Sequence, residues 1–101
     1  MQKHSCKVDQ TLNFLGNKWT FSILYNLMDG KKRFKELQFL LNGISPKTLT
    51  ERLRALEKKE IVIRKIYPVI PPKVEYSITE KGKDLKGVFD ELNIWGKKYL
   101  D

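Results

Sequence analysis

These 101 residues predict one mainly α-helical domain with a small β-hairpin, an α+β arrangement of the winged helix-turn-helix type. Three observations carry the prediction. Residues 45–57 read as a helix with a capping serine, one narrow leucine stripe and a basic outer ridge. A shorter helical segment precedes it across an Asn-Gly turn. After Glu60 the apolar period changes from three or four residues to two, in a pair of segments separated by prolines.

The elements follow in order. Val8, Leu12 and Leu15 share one face of a first helix, which Gly16-Asn17 interrupts. A second helix begins near Lys18 and carries Trp19, Ile23, Leu24 and Leu27 inward, up to the turn signal Asp29-Gly30. A third, short helix from about Arg33 is expected to pack Phe34, Leu37, Leu40 and Leu41. Asn42-Gly43 closes it, glycine being the usual residue of a left-handed C-terminal cap.

Ser45 is the expected N-cap of the fourth helix, its hydroxyl accepting an amide hydrogen bond that the first turn leaves orphaned. Pro46 suits the first helical position, where no N–H is needed. Leu49, Leu53 and Leu56 stand at i, i+4 and i+7 and form the buried stripe. At about 100° per residue, Lys47, Glu51, Arg54 and Lys58 point the opposite way. A few leucines to hold the helix down and a polar, mostly basic ridge are what a helix entering a DNA major groove needs. An ordinary solvated amphipathic helix would show the same stripe, so the surrounding elements decide.

Val62, Arg64 and Ile66, then Val74, Tyr76 and Ile78, alternate as half-buried strands do. Pro68-Val69-Ile70-Pro71-Pro72 cannot continue a sheet ladder and reads as a stiff tip between them. Thr79 is the expected cap of one last helix, along which Leu85, Val88, Phe89, Leu92, Trp95 and Tyr99 recur every three or four residues. The chain is therefore read as a single domain over 1–101. The helix-turn-helix spans 33–60, the wing 61–78, and the dimerisation and core helices 8–28 and 79–100.

The net charge is +8, with a pI of about 9.6, and it is not spread evenly. Residues 31–65 hold eleven Lys/Arg against four Glu, whereas residues 66–101 hold six charges of each sign. A cationic patch concentrated on the candidate helix and hairpin favours a polyanion, because each phosphate it neutralises releases counterions. The one cysteine excludes an intramolecular disulfide. The N-terminal stretch lacks an apolar signal core and no 18-residue apolar run occurs, so a cytoplasmic protein without a membrane span is expected. An enzyme is not expected. The six glycines are dispersed rather than gathered in a phosphate loop, and His4 is the only histidine. His4 with Cys6 is too sparse a ligand set for a metal, and no cofactor is expected.

Four blocks carry a resemblance. They are Gly16-Asn17-Lys18-Trp19, then Arg33-Phe34-Lys35-Glu36-Leu37, then Gly43-Ile44 running into residues 45–57, and finally Tyr67-Pro68-Val69-Ile70-Pro71-Pro72-Lys73-Val74-Glu75-Tyr76 continuing to Gly82. Together they resemble the HxlR-type winged helix-turn-helix regulators, bacterial transcription factors related to the MarR group. The match runs from about Cys6 to the C-terminus in order. The resemblance implies a homodimer that binds operator DNA, with an interface built from the N- and C-terminal helices. Here these would contribute Val8, Leu12, Leu85, Val88, Phe89, Leu92, Trp95 and Tyr99. It also gives Cys6 an interest, since a cysteine just before the first helix senses oxidants or electrophiles in some members.

On the fourth helix Lys47, Arg52 and Arg54 are candidates for phosphates or guanine edges, and Thr48 and Thr50 for either a phosphate or a base. Ser45 stands at the start of that surface. Glu51 could accept from a cytosine amino group or simply hold Arg54 or Lys47 in place. Arg64, Lys65 and Lys73 sit on or beside the hairpin, where a flanking backbone or minor groove would lie. Lysines there would equally suit a solvated edge strand. Cys6 lies among Lys3, His4 and Lys7, whose positive charge favours the reactive thiolate, although an inert packed thiol is the competing reading. The function expected is sequence-specific regulation of transcription, most simply repression by a homodimer on a palindromic operator, with an electrophile or other small effector as signal. The alternative is a winged-helix module that binds protein rather than DNA.

Overall fold

The computed structural model describes residues 7–100. Six helices and one hairpin follow in the order α1 (Val8–Leu15), α2 (Lys18–Leu27), α3 (Phe34–Leu40), α4 (Pro46–Lys58), β1 (Val62–Tyr67), β2 (Lys73–Ile78), α5 (Glu80–Lys83) and α6 (Lys86–Tyr99). The core is the meeting point of α2, α3, α4 and the root of the hairpin. Ile23, Leu24, Leu27, Leu37, Leu49, Leu53 and Leu56 are all buried there. The leucine stripe of α4 therefore seats it on α2 and on the hairpin, and the opposite face is left to solvent.

Local signals explain the boundaries. The Asn17 side chain accepts from the Trp19 and Thr20 amides (2.9 and 3.2 Å) and starts α2. The Arg33 amide donates to Glu36 Oε1 at 2.8 Å, so a first-turn carboxylate reaches back to close the start of α3. Gly43 takes φ +95° between α3 and α4, a conformation costly for any residue with a Cβ. Ser45 caps α4 as expected, accepting from the Thr48 amide at 3.1 Å with Pro46 in the first turn.

Three expectations change, and one backbone contact is added. Leu40 is half exposed; α3 is only seven residues long, and it turns Leu37 and, just beyond its end, Leu41 inward instead. The last helix is two helices, because α5 is a single turn and the chain bends at Asp84-Leu85 before α6. Thr79 keeps its place as the cap of α5, accepting from the Gly82 amide at 3.1 Å while its hydroxyl donates to the Glu60 carbonyl at 2.8 Å. Beyond the hairpin, Lys32 adds a one-residue bridge to the free edge of β2, exchanging two hydrogen bonds with Tyr76 (2.9 and 2.8 Å). Finally, Phe89 is not a surface residue: it is 1% exposed and packs edge-on against Phe21 with ring centroids 4.7 Å apart.

α1 and α6 lie at the edge of this core. α1 buries none of its residues fully, and α6 buries only Phe89. The radius of gyration is 15.2 Å and the longest extent 54 Å, against about 13 Å expected for a compact chain of this length.

Candidate DNA-binding surface

The surface is built from α4 outward. Leu49, Leu53 and Leu56 are at most 1% exposed, which fixes the rotation of the helix about its own axis. Lys47, Glu51, Arg54 and Lys58 are then all exposed on the opposite side, and Thr48, Thr50 and Arg52 lie half-buried on its flanks. Ser45 is exposed at its start. Among the described residues, none of Lys47, Glu51, Arg52, Arg54 or Lys58 forms an ion pair. Glu51 therefore does not anchor Arg54 or Lys47 in this state. The ridge is a row of solvated groups, able to meet phosphates or base edges without first breaking internal bonds.

The hairpin stands beside the C-terminal end of α4. Its strands pair antiparallel in the register Val62↔Ile78, Arg64↔Tyr76, Ile66↔Val74 on one face and Ile63↔Ser77, Lys65↔Glu75, Tyr67↔Lys73 on the other. The first face rests on the body through buried Val62, Ile78 and Tyr76. Burial pushes the Tyr76 phenol up from its usual pKa, and the nearby Glu57 charge adds to this.

The three wing cations read from the sequence are all engaged within the chain. Arg64 Nε lies 3.6 Å from Glu57 Oε1. Lys65 and Lys73 each sit 5.0 Å from the centre of the Tyr67 ring, on which both cations are favourably placed. Lys73 also lies 3.4 Å from Glu75 Oε2. Arg64 and Lys65 remain exposed, whereas Lys73 is half-buried and committed to its carboxylate.

Glu75 is a residue that the sequence reading passed over. It is 9% exposed, and besides Lys73 it has Lys31 at 3.5 Å, from the connection between α2 and α3. The Tyr67 hydroxyl, with help from both lysines, holds its carboxyl below the usual carboxylate range against the opposing effect of burial. The phenol is correspondingly raised. Alternation assigns Glu75 to the outer face of the strand, between Val74 and Tyr76, where an acid is unremarkable, so the sequence offered no signal of its burial. The register that brings it to Tyr67 was hidden by the proline-rich tip.

On the far side, Val8, Leu12, Val88, Leu92, Trp95 and Tyr99 are about half or more exposed, and Leu85 is partly packed on the core. A groove of about 480 Å³ runs between α1 and α6 over Phe21. Cys6 lies outside the described residues. Among the described residues no cluster of three His, Cys, Asp or Glu could hold a metal ion, and no helix is long and apolar enough to cross a membrane.

Known proteins share this arrangement. A family model for HxlR-like helix-turn-helix proteins matches residues 14–101. The uncharacterized HTH-type transcriptional regulator YdeP of Bacillus subtilis is 46% identical over 96 residues, covering 95% of this chain and 75% of YdeP. The solved reduced form of the transcriptional regulator YodB from B. subtilis superposes with a TM-score of 0.86 at 42% identity, covering 100% of this chain and 97% of that one. The redox regulator HypR in its oxidized form gives a TM-score of 0.86 at 42% identity, covering 95% and 99%. With its buried leucine stripe, basic ridge and wing matched along nearly its whole length, the chain belongs to the HxlR-like helix-turn-helix family of transcriptional regulators.

Proposed function

We propose that the chain is a homodimeric, sequence-specific repressor that sets one α4 from each subunit into successive major grooves of a palindromic operator. The observation that carries this is the α4 ridge: Lys47, Arg54 and Lys58 exposed and unpaired above leucines that are wholly buried. Ser45, Thr48, Thr50 and Arg52 line its flanks and take phosphates, while Arg54 and Glu51 face base edges. Arg64 and Lys65 reach the flanking backbone, and Lys73 plays the smaller part there because Glu75 holds it. One recognition helix reads few base pairs, so two of them about 34 Å apart are what a specific site requires. The exposed apolar stripe of α1 and α6 is the surface available for pairing. Repression follows from occlusion by a small domain.

The signal enters at Cys6. The support is chemical and comparative: Lys3, His4 and Lys7 favour the thiolate, and YodB has been solved in diamide-treated and quinone-bound forms. Oxidation to a mixed or intersubunit disulfide, or formation of an adduct, would alter the dimer's geometry and release the operator.

Fluorescence anisotropy on duplex DNA, with a salt titration, tests the reading. A steep loss of affinity with salt is expected, and Arg54→Ala should cost about 1–3 kcal/mol of discrimination between operator and unrelated duplex. A flat salt response would favour the protein-binding module. Cys6→Ser should hold the operator in the presence of diamide or quinone; if it still lets go, the thiol is not the sensor.

A further inference from the structure

We propose that Glu75 is a positioning residue for DNA binding: it gathers Lys31, Lys73 and Tyr67 around one buried carboxylate and so sets the angle at which the wing leaves the body. This rests on the DNA-binding reading above and assigns the wing a determinant that touches no DNA.

The geometry is specific. Glu75 sits on the hairpin face turned away from Tyr76 and Ile78. Lys31 approaches one carboxylate oxygen at 3.5 Å and Lys73 the other at 3.4 Å. Tyr67 and Glu75 are diagonal neighbours across the two strands, a spacing that long side chains bridge. Lys31 belongs to the α2–α3 connection, and the next residue, Lys32, is bonded to Tyr76 through both backbone groups. The charge cluster and the backbone bridge therefore tie the same two-residue stretch to the same strand. That stretch leads directly into α3, so the wing and the helix-turn-helix share one anchor. With its carboxylate neutralised, Lys31 and Lys73 would stand close together as unpaired like charges, and the hairpin could pivot on Tyr76.

The electrostatic expectation runs the other way, which makes the proposal testable. Removing an acid from a cationic surface should by itself strengthen DNA binding. The probe is a duplex recovered by the wild-type chain from a random-sequence library. Binding of Glu75→Gln is followed by anisotropy, and its footprint by hydroxyl-radical cleavage. Positioning predicts roughly tenfold weaker binding and a salt slope reduced by about one for each phosphate that the wing no longer neutralises. It also predicts that protection disappears at the outer flanks and is retained at the centre of each half-site. Lys31→Met and Tyr67→Phe, which leave the carboxylate in place, should show the same pattern in weaker form. Glu75→Gln binding as tightly as wild type or tighter, with flanks protected, overturns the proposal. So does a uniform loss of flank and centre together, which is the mark of a smaller folded fraction. A wild-type chain that selects no sequence at all instead overturns the DNA-binding reading itself.

Discussion

Arg64 Nε of the hairpin lies 3.6 Å from Glu57 Oε1 in the last turn of α4, linking the first strand to the end of that helix. The Arg64 side chain is 47% exposed and Glu57 28%, so water screens the pair. Such pairs contribute between about 0 and 1 kcal/mol. A double-mutant cycle on Arg64→Ala and Glu57→Ala, read by urea denaturation, should give a coupling within that range. A bond this weak is easily exchanged for a phosphate. Arg64→Ala should accordingly reduce the salt slope of DNA binding by about one while leaving the denaturation midpoint nearly unchanged.

Gly82 occupies a place where no side chain fits. A Cβ there would come within 2.5 Å of Ile78 Cγ1 and 2.8 Å of the Ile61 carbonyl oxygen. The backbone of α5 crosses the root of the hairpin at that point, held by the Thr79 hydroxyl. Gly82→Ala should destabilise the fold by about 1–3 kcal/mol through overpacking, seen as a lowered melting midpoint.

The two sides of α6 should separate stability from assembly. Phe89 is buried against Phe21, and Phe89→Ala should cost about 3–5 kcal/mol of folding free energy. Trp95 is 56% exposed and touches Tyr99 at a ring separation of 5.2 Å. Trp95→Glu should leave the unfolding free energy within about 0.5 kcal/mol at monomer concentrations, and should halve the mass that light scattering gives for the proposed dimer. Retention of the dimeric mass would move the interface away from this face.

The Glu75 cluster predicts a pH dependence whose sign is defined. Its carboxyl is lowered from an ordinary value of 4.5, chiefly by the Tyr67 hydroxyl and then by Lys31 and Lys73. The folded state thus favours the charged form: the stabilisation is present above 4.5 and is lost as pH falls through the folded value. Tyr67 is raised from 10.0, so its share is present below 10.0 and lost above. Urea denaturation should show wild type losing its advantage over Glu75→Gln in acid below the carboxylate range, with a constant difference through neutral pH. An advantage that persisted in acid would mean the charge is not what the cluster recognises.

Much of the architecture was legible because its signals are local. Ser45, Pro46 and the spacing of Leu49, Leu53 and Leu56 specify a capped amphipathic helix and its inner face without reference to any other element. Thr79 announces its helix in the same way, and the step from a period of three or four to a period of two marks the hairpin. Signals of intermediate range failed more often. The periodicity of residues 85–99 is continuous, so it gave no warning of the bend at Asp84-Leu85, nor that Phe89 is buried and Leu85 partly packed on the core while the rest of the stripe stays exposed. Lys32 adds to the sheet through backbone groups only, and these leave no trace in side-chain pattern.

By itself the sequence determined the first four helices, the hairpin, the basic ridge and the family to which the chain belongs, since each depends on residue spacing or on motifs read in order. Tertiary structure decided which charges remain available to a partner. Lys47, Arg54, Lys58, Arg64, Lys65 and Lys73 look alike as letters. Folding leaves the first three solvated, draws Arg64 to Glu57, and places Lys65 and Lys73 over Tyr67. The physical reason is register: side chains on a strand change face with every residue, so partners across the hairpin are set by a pairing that the intervening proline tip conceals.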